Sequence, residues 1–242
     1  MINYDDWHNN STLQKKIIGE KNFTYRHFLE KVIPNIKKST ELLDVGCGVG
    51  TIDFFLAKKV KKVVGIDVSE NSIKIAQRNA KLLNLEKNLV YMVMNFPEDV
   101  PNMKFDLVVC SEVLEHLKDD SKAVVQIYSL LKRGGVSIIS VPLNSAPLYK
   151  LGLMGGFDKK VGHLRRYSVE EVVDLLENNG FKIKKTFLVE GMFRNFLFTH
   201  RIGNFFVRVA NRFSFVSDIY TAIDVWLGKL LGFSDVYIIA KK

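Results

Sequence analysis

The sequence predicts an α/β fold built on a parallel, doubly wound sheet. Three observations carry that prediction. Short apolar runs alternate with helix-like stretches from residue 41 through Pro142, the pattern of successive strand-helix-strand units. The first run, Leu42 to Val45, stops at three alternating glycines, Gly46, Gly48 and Gly50. Polar residues, Asp44, Asp67, Asn95 and Ser111, fall at the ends of successive runs, where open sheets of this kind bind ligands.

Residues 1–40 read as a helical leader, with Leu13, Ile17, Ile18, Phe23, Phe28, Leu29, Val32 and Ile33 at helical spacings, ended by Pro34. Tyr4, Trp7 and His8 form a short aromatic and polar cluster ahead of them. At the glycine turn the backbone must approach something that a Cβ would block, and a ligand is the natural candidate. A helix from about residue 51 to 59 would then aim its free amides at the same point. The spacing is G-x-G-x-G; the last glycine of a dinucleotide-binding G-x-G-x-x-G would fall at Thr51.

A second strand over 62–67 ends in Asp67, about twenty residues beyond the loop, where an acid can accept both hydroxyls of a ribose. Ser69, or Ser72, caps the following helix through Ile73, Ala76, Ala80 and Leu83. A third strand over 89–94 leads into Asn95-Phe96-Pro97. The fourth, 105–110, is followed by Ser111-Glu112-Val113-Leu114-Glu115-His116. Offsets of three and four place Glu112, Glu115 and His116 on one helical face. Three readings stay open for them: His116 as a general base, a divalent metal site, or caps and salt bridges. Cys110 lacks the Pro-Cys context of a thiol nucleophile and reads as a buried structural thiol.

A helix over 121–131 is expected to stop at Lys132-Arg133-Gly134-Gly135, before a fifth strand over 136–142. Residues 143–167 hold too many glycines and prolines for regular structure and read as a lid loop. His163 is a second candidate base there. Arg165 and Arg166 suit a carboxylate or phosphate, or tie the lid to the body by salt bridges; with Asp158 and Tyr167 they concentrate polar groups in the lid. Ser168 and Glu171 form a capping box for a helix over 169–178, Gly180 stops it, and strands are expected over 181–189 and 235–240. Between those strands, residues 190–234 form a helical insertion rich in phenylalanine, interleaved with Arg194, Arg201, Arg208 and Arg212. Its apolar faces either pack on the body or lie on an anionic membrane.

The chain of 242 residues fits one domain, and two cysteines fit a reducing compartment. No signal peptide or membrane span is expected, which points to the cytoplasm with optional peripheral membrane contact. A net charge of +9 suits nucleic acid, a membrane surface or a charged substrate, and equally a lysine-rich solvated surface.

The D-V-G-C-G-V-G stretch resembles motif I of the class I S-adenosylmethionine (SAM)-dependent methyltransferases. The E-x-x-E-H pattern at 112–116 is similar to that of ubiquinone-pathway O-methyltransferases, some of which use a metal. L-K-R-G-G-x-x-x-I-S-x-P at 131–142 and G-H-x-R-R-Y at 162–167 also look like this family, and the resemblance covers about residues 40–190 plus the last strand. It implies a Rossmann-like, seven-stranded sheet, six strands parallel and the last antiparallel between the fifth and sixth. It implies SAM as cofactor, with S-adenosylhomocysteine as product.

By the same resemblance Asp44 faces the methionine part and Gly46, Gly48 and Gly50 let the cofactor lie flat. Asp67 and Val68 meet the ribose, and Ser111 stands at the strand end that faces the methyl. Asn95 replaces the usual acid at the adenine amino group, with Phe96 over the ring; the leader often folds over the cofactor. The implied reaction moves a methyl to a small, partly apolar or lipid-linked acceptor at oxygen, with His116 and His163 as catalytic candidates and a divalent metal not assigned. No Asn/Asp-Pro-Pro-aromatic motif follows the fourth strand, which disfavours nucleic acid as acceptor. Alternatives are a nucleic-acid or protein methyltransferase, and a non-enzymatic SAM-binding scaffold at a membrane.

Overall fold

The computed structural model describes residues 17–200 and 202–242. Tyr4, Trp7, His8, Leu13 and Arg201 lie outside them. Among the described residues seven strands form one sheet in the order β3-β2-β1-β4-β5-β7-β6. They are β1 (Glu41–Val45), β2 (Lys62–Asp67), β3 (Leu89–Val93), β4 (Phe105–Ser111), β5 (Leu131–Pro142), β6 (Lys182–Val189) and β7 (Asp235–Lys241). The pairings β1-β2, β2-β3, β1-β4 and β4-β5 are parallel, while β7 runs antiparallel to both β5 and β6. The chain order reverses at β1, so the β1-β4 boundary is the crevice where such sheets take ligands.

Both faces of the sheet are buried, which is why its central strands are apolar throughout rather than alternating. On one face Leu43, Val45 and Val108 pack under α4 (Asp120–Leu130) and α7 (Val169–Asn178), through Val124, Ile127, Val172 and Leu176. On the other, Leu42, Val63 and Leu107 pack under α1 (Arg26–Val32), α2 (Thr51–Leu56) and α3 (Glu70–Leu82), through Leu29, Phe54 and Ala76.

Several elements differ from the sequence reading. The helix before the sheet covers only Arg26–Val32, because Asn22 folds the preceding chain into a turn, its Oδ1 accepting from the Tyr25 amide at 3.3 Å. Strand β5 begins at Leu131, so Lys132 to Gly135 belong to the strand and not to a helix end; Lys132 reaches Glu41 and Asp106 at 2.9 and 3.0 Å. Residues 143–167 contain two short helices, α5 (Pro147–Lys150) and α6 (Gly155–Val161), where the sequence suggested an irregular loop. Pro147 sits in the first turn of α5, where a missing N–H costs nothing, and Gly162 ends α6 in the left-handed region. Residues 190–234 fold into α8 (Met192–Thr199), α9 (Gly203–Arg212) and α10 (Ser214–Leu231). A satellite core of Phe23, Leu197, Val207 and Ala210 joins them to the chain before α1. The Ser168–Glu171 capping box forms, and Ser69 caps α3.

Candidate functional site

The glycine turn leaves β1 with Gly46, Gly48 and Gly50 at φ of 76, 52 and 77°. These left-handed values explain three glycines without a ligand. The close approach expected of them is also internal: a Cβ at Gly46 would meet the Val113 side chain, and one at Gly50 would meet the Tyr91 hydroxyl. The loop is folded back on β2, with the Gly46 and Cys47 amides donating to the Ile66 carbonyl. Asp67 locks it, one carboxylate oxygen accepting from the Gly48 amide at 2.9 Å and the other from Ser69 at 2.8 Å. Each oxygen keeps a second lone pair.

Three carboxyls therefore gather at this end of the sheet: Asp44, Asp67, and Asp53 from the first turn of α2. None makes an ion pair with a described Lys, Arg or His. Burial raises Asp44 well above the usual carboxylate range, and it raises Asp53 to about 7. This set of acceptors suits a ligand that brings positive charge and a vicinal diol. SAM has both, in its sulfonium and ammonium groups and its ribose.

Val68, beside Asp67, is half exposed, and Asn95 is exposed just beyond β3. Phe96, expected over the adenine ring, is instead packed into the sheet-face core. Ser111 ends β4 with its hydroxyl 2.8 Å from that of Ser140 on β5.

Beyond β4 the chain does not form a helix. Glu112 adopts a φ of 55°, and Leu114–His116 is a single 3-10 turn. The expected shared face is accordingly broken. Glu112 receives a 2.7 Å hydrogen bond from Ser140, while Glu115 is turned fully inside. The Glu112 side chain is accessible from a cavity yet walled by protein, and this desolvation raises its carboxyl to about 7, the Ser140 hydrogen bond opposing.

The segment before α7 closes over this turn. The Leu164 amide donates to the Glu115 carbonyl at 2.9 Å, which brings His163 beside His116 with ring centroids 5.0 Å apart. His116 Nδ1 lies 3.2 Å from the Gly162 carbonyl oxygen and His163 Nδ1 lies 3.0 Å from Asp158 Oδ1. Both partners are acceptors, so in each neutral ring Nδ1 carries the hydrogen and Nε2 the lone pair. The two Nε2 atoms lie 3.8 and 3.9 Å from Glu115 Oε1.

Neither Glu115 oxygen has a hydrogen-bond partner among the described residues, and burial lifts its carboxyl well above the usual range. Burial also lowers His116, and it lowers His163 to about 4, with His116 adding to the effect. Three acceptor atoms face one another there, an arrangement that a proton, a cation or a donating group would reconcile. Glu115, His116 and His163 are close enough, with one ligand atom from each all within 4.8 Å of one another, to hold a metal ion.

The two arginines are spent on structure. Arg165 pairs with Asp120 at 2.6 Å, and Arg166 grips both oxygens of Asp158 at 2.6 and 2.9 Å. Arg165 thus ties the lid to the body, whereas Arg166 braces the lid internally, and Asp158 in turn orients His163. A cavity of about 330 Å³ lies next to this cluster. Leu148, Met154, Phe157 and Phe198 give it apolar walls, and Glu112 and His163 a polar side. A wider groove of about 700 Å³, between Ile33, Ile36 and Phe55 and edged by Lys37, Lys38, Lys58 and Lys59, lies at the opposite end of β1 and holds no group suited to chemistry.

Sequence reasoning missed Asp53, which stands in the first turn of α2, where an acid ordinarily faces solvent. It named His163 and Glu115 separately but not as neighbours.

Comparison with known proteins bears on the family and the fold. The profile of the family described as Methyltransferase domain matches residues 19–186. The ubiquinone biosynthesis O-methyltransferase of Rickettsia canadensis is 27% identical over 168 residues, 66% of this chain and 70% of that protein. The enzyme of the same name from Alkalilimnicola ehrlichii is 34% identical over 116 residues, 47% of this chain and 46% of its own length, so the chain spans under half of that relative. Among solved structures, magnesium protoporphyrin IX methyltransferase from Synechocystis PCC 6803, with bound S-adenosylhomocysteine, superposes with a TM-score of 0.63 at 18% identity, over 99% of this chain and 94% of that one. At that identity the likeness is one of fold.

Proposed function

This chain belongs to the class I SAM-dependent methyltransferase family, and from that premise we propose that it methylates a hydroxyl of a small, partly apolar or lipid-linked acceptor. The observation that carries the proposal is the cavity: apolar on the side of Leu148, Met154, Phe157 and Phe198, and polar at Glu112 and His163. The similar proteins from Rickettsia canadensis and Alkalilimnicola ehrlichii, O-methyltransferases of ubiquinone biosynthesis, support the same reading.

When bound, SAM supplies a methyl group made electrophilic by its sulfonium. The protein's part is placement. Asp67, fixed by the Gly48 and Ser69 amides, has lone pairs left for the ribose hydroxyls. Asp44 offers its carboxyl to the cationic methionine part, and the exposed Asn95 and Val68 flank the nucleoside. Holding acceptor and methyl in line lowers the barrier by restricting approach, the largest effect available to such a site.

His163 is the base of this reading. Asp158 fixes its tautomer with Nε2 as acceptor, and the depressed basicity keeps the ring neutral at physiological pH. His116, anchored on Gly162, positions that ring. Replacing His163 by alanine is expected to lower kcat by about 10²-fold or more while leaving S-adenosylhomocysteine affinity unchanged.

A second reading rests on the unpartnered Glu115 oxygens. One carboxylate and two imidazoles suit a divalent cation, which would hold the acceptor oxygen and favour its ionised form. Metal added to chelator-treated protein should then raise the melting temperature of the parent but not of Glu115→Gln. No shift in either leaves His163 as the base.

The direct test offers methyl-labelled SAM to hydroxylated aromatics with and without an apolar tail, alongside amines and RNA. Methyl ethers, formed faster with the tail, are expected. Label reaching only nitrogen or nucleic acid would overturn the proposal.

A further inference from the structure

Helix α10 is inside out. An amphipathic helix on a globular protein turns its apolar stripe to the core. Here the buried positions are Ser217, Thr221, Asp224 and Gly228, spaced by four, three and four residues along one face. Phe215, Ile219, Ile223, Trp226 and Leu230 line the outer face, and all but Ile223 are more than half exposed. The stripe extends about 22 Å at the helical rise. The inversion has a structural cause, because the inner face is fitted to polar work: Asp224 accepts from the Gly191 and Arg194 amides at 2.8 Å each and so caps α8. A Cβ at Gly228 would also strike the Phe233 ring.

Charge decides what covers the stripe. Between Gly191 and Ser234 the chain has two carboxylates, Asp218 and Asp224. Asp224 is buried as the cap, and Asp218 is neutralised at the surface by Lys21 and Arg26 at 2.6 Å each. The exposed charges that remain on α9 and α10 are positive: Arg208, Arg212 and Lys229. Arg212 lies over the Phe213 ring, which contacts Phe215 at the start of the stripe, and Lys229 adjoins Leu230 at its end. A second copy laid on this face would bring like charges together. No helix among the described residues is long and apolar enough to cross a membrane. We propose that the outer face of α10 docks flat on an anionic lipid bilayer, its phenylalanine, isoleucine and tryptophan side chains entering the headgroup boundary and its flanking cations meeting the lipid phosphates.

The proposal goes beyond the methyl-transfer reading and does not depend on it. Apolar residues on one helix face with cations beside them are what interfacial helices use. Helix α8 links the surface to the cavity, since it lends Phe198 to the cavity wall while Phe196 is exposed. A bilayer-borne acceptor would therefore have a short path inward.

Flotation of the full chain with phosphatidylcholine vesicles, with and without phosphatidylglycerol, tests it. In the Trp7→Phe background the only tryptophan is Trp226. Binding to the anionic vesicles with a blue shift of that emission is expected, weakened by salt and about fivefold for each of Arg208→Gln and Arg212→Gln. The pair Ile219→Ser and Leu230→Ser should abolish it while S-adenosylhomocysteine affinity, measured in parallel, shows that the fold is intact. Absence of anionic-vesicle binding would overturn the proposal, as would binding that those serines leave unchanged. So would a dimer in solution that the same serines dissociate, because the stripe would then be covered by a second copy.

Discussion

Asp53 lies fully buried beside the Asp44 carboxyl and the Tyr91 ring, with no cation to balance it. Burial raises its folded-state value to about 7. Between about pH 4 and pH 7 the folded chain therefore keeps a proton that the unfolded chain releases, so stability falls as pH rises through that window. Asp53→Asn removes this dependence. Its melting temperature should exceed that of the parent at pH 8 and converge with it near pH 4, as thermal melts across pH would show. The neighbouring Asp67 has the opposite character, exposed enough to bind and held by two amides. Asp67 was legible in the sequence because a strand, a glycine turn and an acid at a fixed distance form a local pattern. Asp53 was not, since an acid in the first turn of a helix ordinarily faces solvent and favours the dipole. Only the packing of Tyr91 over the loop reveals that it does not.

At the scale of elements, β1, its turn and β2 form one unit pinned by side chains that glycines make room for. A Cβ at Gly65 in β2 would stand 2.7 Å from the Tyr91 ring and 2.8 Å from Cys47 Sγ. Gly65→Ala is expected to cost about 1–3 kcal/mol of stability, measured by urea unfolding, and to weaken the loop that Tyr91 supports. Helix α7 gives a smaller, independent check. Loss of the capping box in Ser168→Ala should cost about 1 kcal/mol with cofactor affinity unchanged. Strands and caps could be read from sequence because each depends on neighbours along the chain, whereas the placement of β7 came from the family resemblance. The turn after β4 could not. Helical offsets suggested one face for Glu112, Glu115 and His116, and the left-handed Glu112 divides them. The cluster that did form, Glu115 with His116 and His163, depends on closure of the lid across 46 residues, from Gly162 to His116.

For the whole molecule, the sheet, the lid and the α8–α10 insertion converge on one cavity. Apart from it, the sheet end at Asp44, Asp53 and Asp67 is carboxylate-rich, while the cavity has apolar walls and polar groups such as Glu112 and His163. A ligand that binds only the folded chain stabilises it by mass action, about 2.7 kcal/mol at a hundredfold excess over its Kd. S-adenosylhomocysteine should accordingly raise the melting temperature, by less as Asp67 or Gly50 is altered. The net charge of +9, ambiguous as composition, gains meaning only from the structure, which buries Asp224 as a helix cap, pairs Asp218 with Lys21 and Arg26, and leaves Arg208, Arg212 and Lys229 exposed.

The central claim is that the turn at Gly46 to Gly50 and the acid at 67 hold the adenosyl ligand. Titration calorimetry of S-adenosylhomocysteine into the parent chain and into Asp67→Ala, each shown to be folded, measures it directly. Saturable one-to-one binding in the parent and a loss of at least tenfold in the variant are expected. Equal affinity in the two chains, or no heat in the parent, would contradict it.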